Sequence, residues 1–206
     1  MPEPTTSLSH LAYRALEGAI VTLKLKPGAM VTEKQLVELA GQGRTPVREA
    51  IQKLEWQGLL EVRPRAGLRI AAIGPEDHAD VMQARSRLEP LAADLVARHA
   101  GEDHRRRLVV CAQAMTACAI DLDAEGFLAA DKAFDEVMED ACPNRFLTAS
   151  LAPLRTHSRR LWFSRTDDRR MERSIELHVR VIRAIRQADG PLAATAMADL
   201  MDHRTA

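Results

Sequence analysis

The chain has 206 residues, enough for a small domain and a medium one, each with its own core. Aromatic residues are only 3% of it, and the dominance of alanine, leucine, arginine and glutamate favours helices over sheets, so a mostly α protein is predicted. The formal net charge of +0 excludes a nonspecific polycation, and no apolar run approaches the roughly 18 residues of a bilayer span, so no membrane role is expected.

The first residues, MPEPTTSLSH, have neither a basic n-region nor an apolar h-region, which predicts a cytoplasmic protein. Residues 8 to 25 then place Leu11, Ala15, Leu16, Ala19, Ile20 and Leu23 at spacings of three and four, the pattern of an amphipathic helix that stops at Pro27-Gly28. Thr32 with Gln35 reads as a capping box for a second helix, whose buried face is Leu36, Leu39 and Ala40, before a turn at Gly41-Gln42-Gly43. A third helix follows, with Thr45 as expected N-cap, Pro46 at the first helical position and Val47, Ala50, Ile51 and Leu54 along one face until Gly58. Leu59 to Arg63 and Leu68 to Ile73 alternate apolar and polar residues around Pro64-Arg65-Ala66-Gly67, which predicts a β-hairpin, or wing.

Gly74-Pro75 interrupts the pattern, and helical periodicity runs from there to the end. Breaks at Gly101, Asp121-Leu122-Asp123, Pro143, Thr166-Asp167 and Gly190-Pro191 predict six helices, over 76–100, 102–121, 123–141, 144–164, 168–188 and 191–204. The fold expected is a winged helix-turn-helix with a small β-hairpin over 1–73, then an all-α six-helix bundle over 74–206. Cys111, Cys118 and Cys142 show no CxxC spacing and are expected to be core residues rather than disulfides or zinc ligands.

A helix-turn-helix lays its second helix in the major groove, with that helix's first residues facing bases and phosphates. Here those residues are Arg44, Thr45 and Arg48; arginine can pair with guanine through two hydrogen bonds, threonine can donate to a phosphate, and the helix N-terminus adds exposed amides. Lys34 is placed for the DNA backbone, and the wing adds Arg63 and Arg65 beside Gly67, where a glycine permits close approach. Residues 1–73 carry 10 lysines and arginines against 7 acidic residues, the remainder 19 against 22, so the cationic excess lies in this segment. The other use of such a module, protein interaction, would leave these basic residues as solvated surface.

The run VTEKQLVELAGQGRTPVREAIQKLEWQGLLEVRPRAGLRIAAI resembles the DNA-binding domain of GntR-type regulators over about residues 8 to 73. The resemblance implies that Arg44, Thr45, Arg48 and Gly67 contact operator DNA, with Lys34 and Arg65 in support. Gly43 departs from the family, which more often has serine there. Residues 77 to 203 are similar to the all-helical FCD domain of the FadR-like branch: Arg85-Ser86-Arg87-Leu88-Glu89, Asp131-Lys132-Ala133-Phe134-Asp135, Asn144, Glu176-Leu177-His178 and His203 carry the likeness.

In that family an aspartate and three histidines often hold a divalent metal, which helps to bind a carboxylate effector. The corresponding set here is Asp131, Asp135, His178 and His203, with Asp135 where the family has histidine, and zinc, nickel or manganese are the candidate ions. Without the resemblance these would read as ordinary surface or core polar residues. Arg85, Arg159 and Arg160 are candidate partners for an effector carboxylate, since a guanidinium can orient a carboxylate with two hydrogen bonds, although each would equally serve an interhelical ion pair.

The reading that follows is a ligand-responsive bacterial transcription regulator. It would act as a repressor, bind a near-palindromic operator as a homodimer, and respond to a small organic acid held near a metal in the bundle. A metal-sensing regulator would use the same residues. A metal-dependent enzyme would leave the wing and the Arg44/Arg48 pair without a role.

Overall fold

A computed structural model describes residues 7–63, 67–165 and 168–205 and divides the chain into two compact units, one ending at Pro75 and the other starting at Glu76. Among the described residues are nine helices and one three-stranded sheet.

In the first unit, α1 (Leu8–Val21) starts at Ser7, whose side chain accepts from the His10 amide. α2 (Glu33–Ala40) carries the expected capping box: Thr32 Oγ1 accepts from the Gln35 amide, and Gln35 Oε1 accepts from the Thr32 amide. It closes on Gly41, whose φ of 61° is the left-handed conformation that glycine adopts without a Cβ penalty. α3 (Arg44–Trp56) begins earlier than expected, with Gly43 rather than Thr45 as N-cap. Pro46 therefore falls in the third helical position, still within the first turn, where its missing N–H forfeits no intrahelical bond. Leu16, Ile20, Leu36, Val47, Leu54, Leu59 and Ile70 are buried together as this unit's core.

β2 (Leu60–Arg63) and β3 (Gly67–Ile70) form the wing, pairing antiparallel with Leu60 opposite Ile70 and Arg63 opposite Gly67. A strand missing from the sequence reading, β1 (Met30–Val31), adds to the far edge of β3, giving the order β1-β3-β2. Two residues are too few to show alternation. The Gly28 amide donates to the Ile70 carbonyl and the Ile70 amide to the Ala29 carbonyl, so contacts about 40 residues apart, invisible to local pattern, hold the strand in place.

The second unit is six helices: α4 (Asp77–His99), α5 (Glu102–Asp121), α6 (Ala124–Ala141), α7 (Arg145–Arg165), α8 (Asp168–Arg186) and α9 (Gly190–Thr205). α4 packs on α9 and α7, α8 on α9, and α5 on α6 and α8. Local chemistry sets the boundaries: Leu122 turns the chain at a left-handed φ of 52°, Asp123 accepts from the Gly126 amide, and Asn144 Oδ1 accepts from the Phe146 and Leu147 amides. Phe127, Phe134, Leu108, Met115, Val181, Ile185 and Leu200 are buried in the core. The three cysteines are free thiols, two of them buried, and burial pushes the Cys111 thiol up. No helix among the described residues is long and apolar enough to cross a membrane.

Candidate functional site

The first unit exposes Arg44, Thr45 and Arg48 on the opening turns of α3. Among the described residues no side chain caps this helix, which leaves the amides of its first turn without a side-chain acceptor. Arg48 is held through Nε alone, 3.0 Å from each carboxylate oxygen of Glu33 on α2, which leaves its two terminal nitrogens for a base edge or a phosphate. Lys34 is 86% exposed on its side chain, with Nζ 3.8 Å from Glu38. At the wing, Gly67 has a φ of 98°, and a Cβ there would meet the Val31 carbonyl oxygen at 3.5 Å. Arg63 points its charge at Glu61, 2.7 Å away. Arg65 lies outside the described residues.

The second unit buries charge in its interior. Glu89 on α4 is the hub: Arg85, one turn earlier, reaches it at 3.0 and 2.7 Å, and Arg155 on α7 reaches its two oxygens at 3.0 and 2.6 Å. Burial alone would raise the Glu89 carboxyl, but the two guanidiniums hold it down to about 2. Arg85 also donates to Ser158 on α7 at 2.6 Å, and Arg155 lies 3.3 Å from Asp135.

Asp131, Asp135 and His178 are buried in the same network. His178 Nδ1 is 2.7 Å from the Ser174 carbonyl oxygen, to which it can only donate, and this orients Nε2 to 3.0 Å from Asp131 Oδ1. Phe127 and Phe134 pack their edges against the same imidazole. Arg204 on α9 donates to Asp131 Oδ1 at 2.5 Å and comes within 3.4 Å of His178 Nε2. Arg159 sits 2.5 Å from Asp135 Oδ2. Burial opposes ionisation of Asp131, yet the Arg204 guanidinium beside it holds its carboxyl well below the usual range; at Asp135 burial prevails and pushes the carboxyl up.

The expected metal set is not assembled. Among the described residues no three histidine, cysteine or acidic side chains are gathered to hold an ion. Asp131 and His178 do meet, but Asp135 is engaged by Arg159, and the His203 Nε2 instead lies 3.2 Å from the Arg170 carbonyl oxygen. The residue that α9 sends to Asp131 is Arg204, a cation, and guanidinium nitrogens cannot ligate a metal. The residues present therefore do not fit the four-ligand site implied by the sequence resemblance.

Of the three arginines expected to meet an effector, Arg85 is tied to Glu89 and Ser158, Arg159 to Asp135, and Arg160 is buried. Sequence reasoning gave no role to Glu89, Arg155 or Arg204. A signal for Arg155 was present: it stands four residues before Arg159 and four after Leu151, on the buried stripe of α7. A cavity of about 20 Å³, room for roughly one water, lies where the start of α4 meets the ends of α7 and α9, lined by His78, Ser158, Trp162, Arg170, His203 and Arg204.

Comparison with known families bears directly on both units. Residues 8–70 match the bacterial regulatory proteins of the gntR family, and residues 80–203 match the FCD domain. The chain belongs to the GntR family. This GntR regulator is 30% identical, over 193 residues, to an uncharacterised HTH-type transcriptional regulator in an unstable DNA locus of Streptomyces ambofaciens; the match covers 90% of this chain and 78% of that protein. It is 28% identical, over 84% of its length and 76% of the relative's, to a probable D-xylose utilization operon transcriptional repressor of Paenarthrobacter nicotinovorans. Its fold is shared with E. coli McbR/YncC, at a TM-score of 0.80 and 20% identity, covering 95% of this chain and 94% of the other. The GntR protein is thus a DNA-binding transcription regulator and not an enzyme, which removes the alternative of a metal-dependent enzyme.

Proposed function

We propose that this regulator represses transcription as a homodimer on a near-palindromic operator, and that a small organic acid bound in its C-terminal bundle changes its affinity for DNA. Arg44, Thr45 and Arg48 read and grip the operator, with Lys34, Arg65 and Gly67 in support. Paired recognition helices one helical turn apart, about 34 Å, are the geometric reason for both the dimer and the operator symmetry.

The observation that carries the effector reading is the buried charge of the bundle. The guanidiniums of Arg85, Arg155, Arg159 and Arg204 gather on the carboxylates of Glu89, Asp131 and Asp135, and burial disfavours the charged form of Asp135. Such a concentration of buried guanidiniums favours an anionic ligand. Arg204 also lines the small cavity with Arg170, His78 and His203, and its buried Nε meets no hydrogen-bond acceptor among the described residues. One carboxylate oxygen of such an acid, in the space of that single water, would meet positive counter-charge and an unsatisfied donor.

The test begins by selecting bound fragments from genomic DNA and measuring the affinity of the strongest by fluorescence anisotropy. A panel of mono- and dicarboxylates is then titrated into the complex. At least one acid is expected to shift the Kd by about tenfold, a coupling of roughly 1.4 kcal/mol. A panel that moves neither the Kd nor the Tm would remove the effector from this reading and leave the DNA-binding function standing.

A further inference from the structure

We propose that Arg204 supplies, as a fixed guanidinium, the positive charge that a divalent ion would supply between Asp131 and His178, so that the bundle organises its acidic core without a metal. The inference concerns the same core as the effector reading, but it needs no effector to be tested.

Half of a metal site is present. Asp131 is buried, and His178 is oriented by donation from Nδ1 to the Ser174 carbonyl oxygen, the arrangement that presents an imidazole Nε2 to a cation. The cation met there is organic. Arg204 Nη2 lies 2.5 Å from Asp131 Oδ1 and 3.4 Å from His178 Nε2. A metal on those two atoms would stand about 2.0–2.2 Å from each, inside the space that the guanidinium nitrogen fills. Both cations cannot occupy it.

The remaining positions point the same way. Arg159 Nη1 is 2.5 Å from Asp135 Oδ2 and 3.7 Å from Asp131 Oδ2, so the second carboxylate also has its positive partner. One turn before Arg204 on the buried face of α9 stands Leu200, 1% exposed, which offers no donor atom. His203, on the next face round, is directed to the Arg170 carbonyl oxygen. Expelling Arg204 to admit a metal would strand a guanidinium that is only 8% exposed as a residue.

The experiment uses the full-length, tag-free protein. It is incubated with a several-fold excess of zinc, nickel or manganese, desalted, and its metal measured per chain, with Tm recorded with and without added metal and chelator. The expected result is less than about 0.1 metal per chain at this site, taken as the difference between the wild type and Asp131→Asn, and a wild-type Tm indifferent to chelator. About one equivalent per chain that disappears in Asp131→Asn, or a Tm that falls on chelation, would overturn the proposal. Arg204→Lys and Arg204→Met supply a second measurement: the lysine variant, which keeps the charge, should melt at least about 5 °C above the methionine variant. A methionine variant as stable as the lysine variant would refute the role of Arg204 as the core's cation. If neither variant folds, the metal content of the wild type still decides.

Discussion

Replacing Glu89 by glutamine removes the negative charge at the point where α4 is tied to α7. Arg85 gives it two hydrogen bonds and Arg155 two more, at 2.6 to 3.0 Å, and Glu89 is 1% exposed. Glutamine keeps the shape but turns an NH2 group toward one of the guanidiniums, and the nearest remaining carboxylate to Arg155, Asp135, is also engaged by Arg159. Breaking a buried ion pair from one side typically costs about 3–5 kcal/mol because the partner charge is left uncompensated in a poor solvent. For a unit of this size that corresponds to a fall in Tm of about 10 °C or more. Calorimetric and urea melts of the wild type and Glu89→Gln measure it, with the melting of the DNA-binding unit as an internal reference. A loss below about 1 kcal/mol would refute the reasoning, since it would mean that water reaches the pair and screens it. The combined replacement of Arg85, Glu89 and Arg155 by methionine should recover most of the loss, because no charge is then stranded.

Acid should weaken the bundle through the same residue. Glu89 is held near 2 in the folded chain against 4.5 in the unfolded one, so its contribution is complete above about pH 4.5 and disappears as the pH falls toward 2; the wild type should lose more stability than Glu89→Gln between pH 5 and 3, roughly, by circular dichroism. Arg44→Ala should weaken operator binding by about 1–3 kcal/mol and lower the salt slope of log K by about 1, measured by anisotropy at several salt concentrations; an unchanged slope would place Arg44 away from phosphate. Gly67→Ala should cost about 1 kcal/mol in a denaturant melt, because its φ of 98° suits glycine alone, and an unchanged midpoint would contradict that backbone geometry. Thr32→Ala removes one half of a capping box and should cost about 1 kcal/mol in the same assay, whereas Thr32→Ser should cost little.

The helices were legible because their determinants are local. Periodic apolar residues, the Thr32–Gln35 box, Gly41, Asp123 and Asn144 all act within one or two turns of the chain, so they set element type and most boundaries from nearby residues alone. α3 shows the limit of such reasoning: Thr45 was the expected N-cap, and the backbone started the helix two residues earlier, from Gly43. β1 had no local signature, because a strand of two residues exists only through its partner β3.

The core of the bundle divides along the same line. The sequence by itself determined which titratable residues lie on each helix, and placed Asp131 and Asp135 one turn apart on α6. Which cation they would meet was a tertiary matter. Whether α9 turns His203 or Arg204 toward α6 depends on the rotation of one helix against its neighbours, and consecutive residues on a helix point about 100° apart. Packing of Leu200 and Met201 into the core settles that rotation, directs Arg204 to Asp131, and leaves His203 to the Arg170 carbonyl oxygen. A rotation of one residue is invisible to periodicity, yet it decides whether the core holds an imidazole that could bind a metal or a guanidinium that replaces one.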